Sequence, residues 1–184
     1  MTIPPVLCTG GMVIFPNAMA ILIGIPILAF AVILQSTVFS RVPLLNGPLD
    51  LVVVVLICWT LNERVRDEWT WALIAGSMVG FISALPVLVP IAGYLLVTGV
   101  SVYLKRRVWQ VPVLALFVTI ILGTLIVQLS GYLFLTVLGT PLPFFEALNL
   151  VVLPGLLLNL LAALPVNGLM GEIAGFLYPQ EIEN

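Results

Sequence analysis

Residues 69–104 contain no charged side chain and are almost entirely apolar. A single α-helix of 36 residues would extend about 54 Å, whereas the hydrocarbon core of a bilayer is about 30 Å thick and is spanned by about 20 helical residues. Pro86 and Pro90 lie near the middle of the stretch, where they favour a break in the helix. The stretch therefore predicts two membrane-spanning helices, 69–85 and 86–104.

The composition of the whole chain supports this interpretation. Of its 184 residues, 62% are hydrophobic and only 8% are charged, whereas soluble domains carry about 25% charged residues. The sequence therefore predicts an all-α, polytopic integral membrane protein. The chain has no basic region large enough to bind nucleic acid, so no nucleic-acid partner is predicted.

Further apolar runs bring the predicted number of transmembrane helices to six, all in one domain, 19–178. Residues 1–18, which prolines and glycines interrupt, are predicted to be a flexible or interfacial lead-in. An amphipathic interfacial tail is predicted after the last span, and 179–184 are predicted to be a C-terminal tail. The second span is short, which predicts that it thins the bilayer or borrows preceding apolar residues. The six predicted spans are 19–39, 48–61, 69–85, 86–104, 112–138 and 144–166.

Five of the six basic residues fall in two loops, and with six spans both loops and both termini face the same side. The positive-inside rule makes that side cytoplasmic. The basic residues are predicted to anchor this topology and to contact anionic lipids; they are Arg64, Arg66, Lys105, Arg106 and Arg107. Aromatic residues predicted at the same interface are Trp69, Trp71, Tyr103 and Trp109.

Asp50 lies at the start of the second predicted span, two residues after Pro48. Three interpretations remain open: a helix cap, an ion or proton site, and a contact with a partner protein. The cap is favoured, because a carboxylate in this position meets unpaired backbone N–H groups and the positive end of the helix dipole. An ion- or proton-coupling role would need a second acid or a basic partner at similar depth, and the only candidate is Glu146.

Gln35 and Asn159 also lie within predicted spans, where polar side chains are expected to face the bundle interior, water or a partner. Gly76 and Gly80 have the four-residue spacing that lets two membrane helices approach closely. Packing inside the bundle is favoured for this pair, and contact with an external helix is the alternative. The predicted partner-helix contacts are Gln35, Asp50, Gly76, Gly80 and Asn159.

The chain contains no histidine. This excludes His-dependent triads, HExxH zinc sites and a histidine general base. No catalytic, cofactor or metal site is predicted, and the protein is predicted not to be an enzyme.

Four segments, taken in order, resemble the MreD family, small six-span membrane proteins of the bacterial rod-shape machinery. The family's third span commonly carries an acidic residue near its end, where this chain has Ser83 and Ala84, so the role of that acid is not carried over. The segments are "LQSTVF" (34–39), "GPLDLVVVVLICWTL" (47–61), "ALIAGSMVGFISAL" (72–85) and "LPGLLLNLLAALPV" (153–166).

The resemblance implies a non-catalytic scaffold in the bacterial cytoplasmic membrane. Such a protein would bind the single-span protein MreC, would associate with RodA and its penicillin-binding transpeptidase, and would link them indirectly to MreB filaments. No cofactor is implied.

The main alternative is the substrate-binding subunit of an energy-coupling-factor transporter, a vitamin-binding class of six-span proteins to which the MreD fold is similar. Against it, the first span offers Ala29-Phe30-Ala31, without the four-residue spacing of the coupling motif. A membrane enzyme of lipid metabolism is a third alternative, for which the sequence offers no nucleophile or metal site.

Overall fold

The computed structural model describes residues 14–37, 48–107, 111–139 and 143–178, and this part of the chain forms six helices and no β-strand. The predicted all-α, polytopic class is confirmed. Residues 1–13 of the predicted lead-in and the predicted C-terminal tail, 179–184, lie outside the described residues. The helices are α1 (Ile14–Thr37), α2 (Leu51–Leu61), α3 (Glu68–Ile82), α4 (Leu88–Arg107), α5 (Pro112–Val137) and α6 (Phe144–Leu177).

Three of these helices, α4, α5 and α6, are long and apolar enough to cross a membrane. Shorter apolar segments lie in α1 and α2, at Ile21–Thr37 and Leu51–Leu61. The chain is therefore a membrane protein with several spanning helices. The count of six crossings stays a prediction.

Two helices extend beyond their predicted spans. α1 begins at Ile14, so residues 14–18 of the predicted lead-in are helical. α6 continues through the predicted interfacial tail, and Met170 and Ala174 of that segment are buried in the core. At 34 residues, α6 is about 51 Å long and exceeds the thickness of the hydrocarbon core. It also contains one π-helical segment, Leu148–Val152.

The predicted break between the third and fourth spans is confirmed. α3 ends at Ile82 and α4 begins at Leu88. Ser83 stabilises the turn, since its hydroxyl oxygen accepts a hydrogen bond from the backbone N–H of Leu85 at 3.1 Å. Pro90 lies in the first turn of α4, where its missing N–H costs no helical hydrogen bond.

α2 is the central helix of the bundle. Residues 51–60 are all buried, and α2 packs against α1, α3, α4, α5 and α6. Its 11 residues extend only about 16 Å. Because its sides face other helices, its length need not match the bilayer, so the structure accounts for the short second span without local thinning of the membrane.

Trp71 was predicted to lie in an interfacial aromatic belt, and this prediction is wrong. Its indole is fully buried and stacks on Trp59, with ring centroids 4.1 Å apart and planes inclined by 17°. Gly24 of α1 makes room for the ring, since a Cβ at that position would lie 2.7 Å from the Cε2 atom of Trp71. Among the other predicted belt residues, Trp69 and Tyr103 are exposed and Trp109 lies outside the described residues.

Both basic loops lie at the same end of the bundle, here called the basic end. Lys105, at the end of α4, forms an ion pair with Glu68, at the start of α3, with 3.0 Å between nitrogen and oxygen. The hydroxyl of Tyr178, after α6, donates to the Asp67 carboxylate at 3.1 Å. Arg64 lies beside Gly175, close to the C-terminal end of α6. The opposite end carries the start of α2 and the turn between α3 and α4.

Candidate functional site

A network of polar side chains surrounds the start of α2, at the opposite end of the bundle from the basic loops. Asp50 is the N-cap residue of α2, and its Oδ1 atom accepts a hydrogen bond from the backbone N–H of Val53 at 3.1 Å. Such a bond satisfies one of the backbone donors that the first turn of a helix leaves unpaired. The predicted capping role of Asp50 is confirmed.

Tyr94 of α4 provides a second donor to the same carboxylate. Its hydroxyl lies 3.0 Å from Oδ1 and 3.3 Å from Oδ2 of Asp50. The Tyr94 side chain is completely buried, so its phenol needs a partner inside the bundle. The contact ties the start of α2 to the middle of α4.

Asn159 of α6 links three helices through one amide group. Its Oδ1 atom accepts the backbone N–H of Asp50 at 3.0 Å, and its Nδ2 atom donates to the hydroxyl oxygen of Thr124 in α5 at 2.9 Å. Asn159 is fully buried and Thr124 nearly so. Since both ends of the amide are paired, its orientation is fixed and the network has a single arrangement.

Gln35 of α1 completes the cap of α2. Its Oε1 atom accepts the backbone N–H of Val52 at 3.3 Å. Side chains of the protein therefore accept the hydrogen bonds of three backbone N–H groups, those of Asp50, Val52 and Val53. At an exposed helix end, water molecules would accept these hydrogen bonds. In a hydrocarbon environment these groups must be satisfied by the protein itself.

A cavity of about 390 Å³ opens beside this network. The side chains of Asp50 and Tyr94 form one part of its wall, and Gln128 and Ser130 of α5 form another. Most of the remaining wall is apolar, contributed by α3, α4, α5 and α6. A largely apolar cavity with a few convergent polar groups is typical of small-molecule sites.

Gln128 is the unusual residue of this cavity. Its amide nitrogen and oxygen are both buried, and neither has a hydrogen-bond partner in the described part of the chain. Gly155 of α6 allows the amide to approach the helix backbone, since a Cβ there would lie 2.6 Å from Nε2 of Gln128 and 2.8 Å from the carbonyl oxygen of Pro48. Buried amides without partners are rare; the polar atoms of this one are enclosed by protein, so only the rest of the Gln128 residue borders the cavity.

Gly76 and Gly80 lie in the contact between α3 and α4, in agreement with the favoured interpretation of internal packing. A Cβ at position 76 would lie 2.7 Å from the Cα atom of Ile91. At position 80 it would lie 2.9 Å from Cγ1 and 3.0 Å from the Cα atom of Val87. The two helices therefore approach through their backbones.

All five predicted partner-helix contacts, Gln35, Asp50, Gly76, Gly80 and Asn159, make contacts within the chain, and a role toward a partner stays a prediction for each. Three of the predicted lipid anchors, Arg64, Arg66 and Lys105, line one cavity at the basic end. The other two lie on the exposed end of α4, where the guanidinium of Arg107 lies 5.8 Å from the centre of the Tyr103 ring and Arg106 is exposed.

Tyr94 and Thr124 are the members of the network that the sequence interpretation missed. A tyrosine in the middle of an apolar span is itself a signal, because its hydroxyl must find a partner there. Nothing in the sequence indicates which residue that partner is, since Asp50 and Tyr94 lie 44 positions apart.

Comparison of the chain with protein-family models, curated proteins and solved structures finds no match. Within the described residues, no three His, Cys, Asp or Glu side chains are grouped so that they could hold a metal ion.

Proposed function

We propose that the chain is a non-catalytic membrane scaffold of the bacterial rod-shape machinery. In this function it binds the single-span protein MreC in the cytoplasmic membrane and helps to link MreB filaments to RodA and its penicillin-binding transpeptidase. The order of the four MreD-like segments supports the family, and a groove on the bundle surface supports the binding of a membrane helix.

The groove lies between α1 and the last turns of α6. α1 packs on α2 and α3 and contacts α6 along only a short stretch, which leaves a cleft of about 360 Å³. Its walls are apolar except for one carboxylate. The residues of this α1–α6 groove are Ile23, Ile27, Leu169, Glu172, Ile173, Phe176 and Leu177.

Glu172 is the observation that carries the proposal. The side chain is exposed and lies one turn before Gly175, which approaches the Arg64 guanidinium at the basic end. A carboxylate that borders lipid is costly unless it meets water or a cation. A single-span partner with a cytoplasmic N-terminus carries its basic residues at that level, so its helix would fill the apolar groove and pair a cation with Glu172.

A charge reversal at Glu172 tests this proposal. In Glu172→Lys, a lysine would face the basic flank of the partner helix, and like charges across an interface cost several kcal/mol. We expect co-purification of MreC from detergent-solubilised membranes to fall by about tenfold or more, with unchanged expression and melting temperature.

Glu146→Lys is the matched control, because Glu146 is also exposed on α6 but lies at the other end of the helix. This variant should retain MreC. Exchanging a basic residue at the cytoplasmic flank of MreC for glutamate should restore binding to Glu172→Lys. Undiminished co-purification with Glu172→Lys would rule out this groove as the interface.

A second candidate function, binding of a small vitamin-like molecule, is favoured by the largely apolar cavity of about 390 Å³ beside Asp50 and Tyr94. In this case the apolar body of the ligand would fill the cavity. The same purification separates the two functions, because a transporter subunit would retain a small molecule or ATPase subunits in place of MreC.

A further inference from the structure

The cavity at the basic end has a volume of about 770 Å³. It gathers side chains that are far apart in the sequence: the loop after α2, the end of α4, the start of α5 and the last part of α6 all contribute to its wall. This juxtaposition could not be read from the two basic loops separately.

The basic side chains that line the cavity differ in whether they form ion pairs. Lys105 pairs with Glu68 and also donates to the carbonyl oxygen of Val65 at 3.1 Å. Arg64 and Arg66 are exposed and form no ion pair within the described residues. Among the residues that the structure describes, Glu63 is the only carboxylate that lines the cavity. The wall therefore offers two guanidinium groups that form no ion pair within the described part of the chain, and guanidinium groups match the oxygens of a phosphate group in geometry and charge.

The cavity also has an apolar side. The apolar residues that line it are Leu61 at the end of α2 and Pro112, Ala115 and Leu116 at the start of α5. Asn167 of α6 adds an exposed amide. A soluble phosphate would make no favourable contact with the apolar residues of the wall. A phospholipid would, because its glycerol and acyl region lies next to its phosphate.

We propose that this cavity binds the headgroup phosphate of an anionic phospholipid, with Arg64 and Arg66 as its principal ligands. Basic pockets between membrane helices on the cytoplasmic side commonly hold such headgroups. The bound lipid would fix the basic end at the membrane surface. No described residue lines both this cavity and the α1–α6 groove, so the variants that test one site leave the lining residues of the other unchanged.

Native mass spectrometry of the purified full-length protein, with phosphatidylglycerol or phosphatidylcholine added, tests the proposal. We expect the wild type to retain phosphatidylglycerol preferentially. The double variant Arg64→Gln/Arg66→Gln should lower the retained fraction by about tenfold, since each basic residue near the surface adds to the attraction of anionic lipid. Both arginines are exposed, so the variant should melt at the temperature of the lipid-free wild type.

The matched control is Arg106→Gln/Arg107→Gln, which removes the same charge from residues that do not line the cavity. Arg106 and Arg107 are predicted to attract anionic lipid at the membrane surface only, so this variant should lower the retained phosphatidylglycerol much less than Arg64→Gln/Arg66→Gln does. Equal loss in the two double variants, or equal retention of the two lipids by the wild type, would overturn the proposal. So would stabilisation by millimolar inorganic phosphate to the same melting temperature as by phosphatidylglycerol, because the occupant would then be a soluble phosphate.

Discussion

Replacement of Asn159 by leucine will lower the stability of the protein by about 3 kcal/mol, because it removes a buried amide and leaves both of its hydrogen-bond partners unpaired. The backbone N–H of Asp50 loses its acceptor and the hydroxyl of Thr124 loses its donor. Each buried polar group left unsatisfied costs about 1–3 kcal/mol. For a domain of this size the loss corresponds to a fall of about 10 °C in the melting temperature, which a thermal unfolding assay in detergent will measure.

Asn149 provides the control for this substitution. It lies on the same helix but is exposed, so Asn149→Leu should change the stability by no more than about 0.5 kcal/mol. A melting temperature of Asn159→Leu that equals that of Asn149→Leu would show that the network does not hold α2, α5 and α6 together.

The second large effect is expected at Gly76. The substitution Gly76→Ala places a Cβ atom 2.7 Å from the Cα atom of Ile91, and backbone atoms cannot move aside as a flexible side chain can. Overpacking of this kind costs about 1–3 kcal/mol, so α3 and α4 must separate and the melting temperature should fall by about 5 °C.

Gly168→Ala is the matched control and should act in the opposite direction. Gly168 also lies in a helix, but a Cβ at this position meets no atom within 4 Å. Alanine favours the helix over glycine by about 0.5–1 kcal/mol, so this variant should be slightly stabilised. If both alanine variants were stabilised, α3 and α4 would not approach as closely as the structure indicates.

Features that depend on one segment of the chain were predictable from the sequence. The break between α3 and α4 followed from the length of an uncharged run and from Pro86 and Pro90. The cap at Asp50 followed from its place two residues after Pro48. In both cases the cause lies within a few residues of the effect.

Features that depend on which helices are neighbours were not predictable. Trp71 lies near a predicted interface, and the sequence alone does not distinguish a ring that faces headgroups from one that faces Trp59 and α1. The same limit applies to α2, whose residues are apolar on every side and would suit lipid as well as protein neighbours. Tyr94 and Thr124 join the polar network only because α4 and α5 lie beside α2 and α6.

The proposed function and the lipid site both depend on the predicted placement of the two basic loops on one side of the membrane. Single cysteines at Arg66, Arg106 and Leu138, in a chain whose Cys8 and Cys58 are replaced by alanine, test it directly with a membrane-impermeant maleimide on right-side-out vesicles. All three positions are exposed, the first two at the basic end and Leu138 at the opposite end. Arg66→Cys and Arg106→Cys should react only after the membrane is permeabilised, and Leu138→Cys should react at once. Labelling of positions 66 and 106 from opposite sides would contradict the six-span topology and both proposals that depend on it.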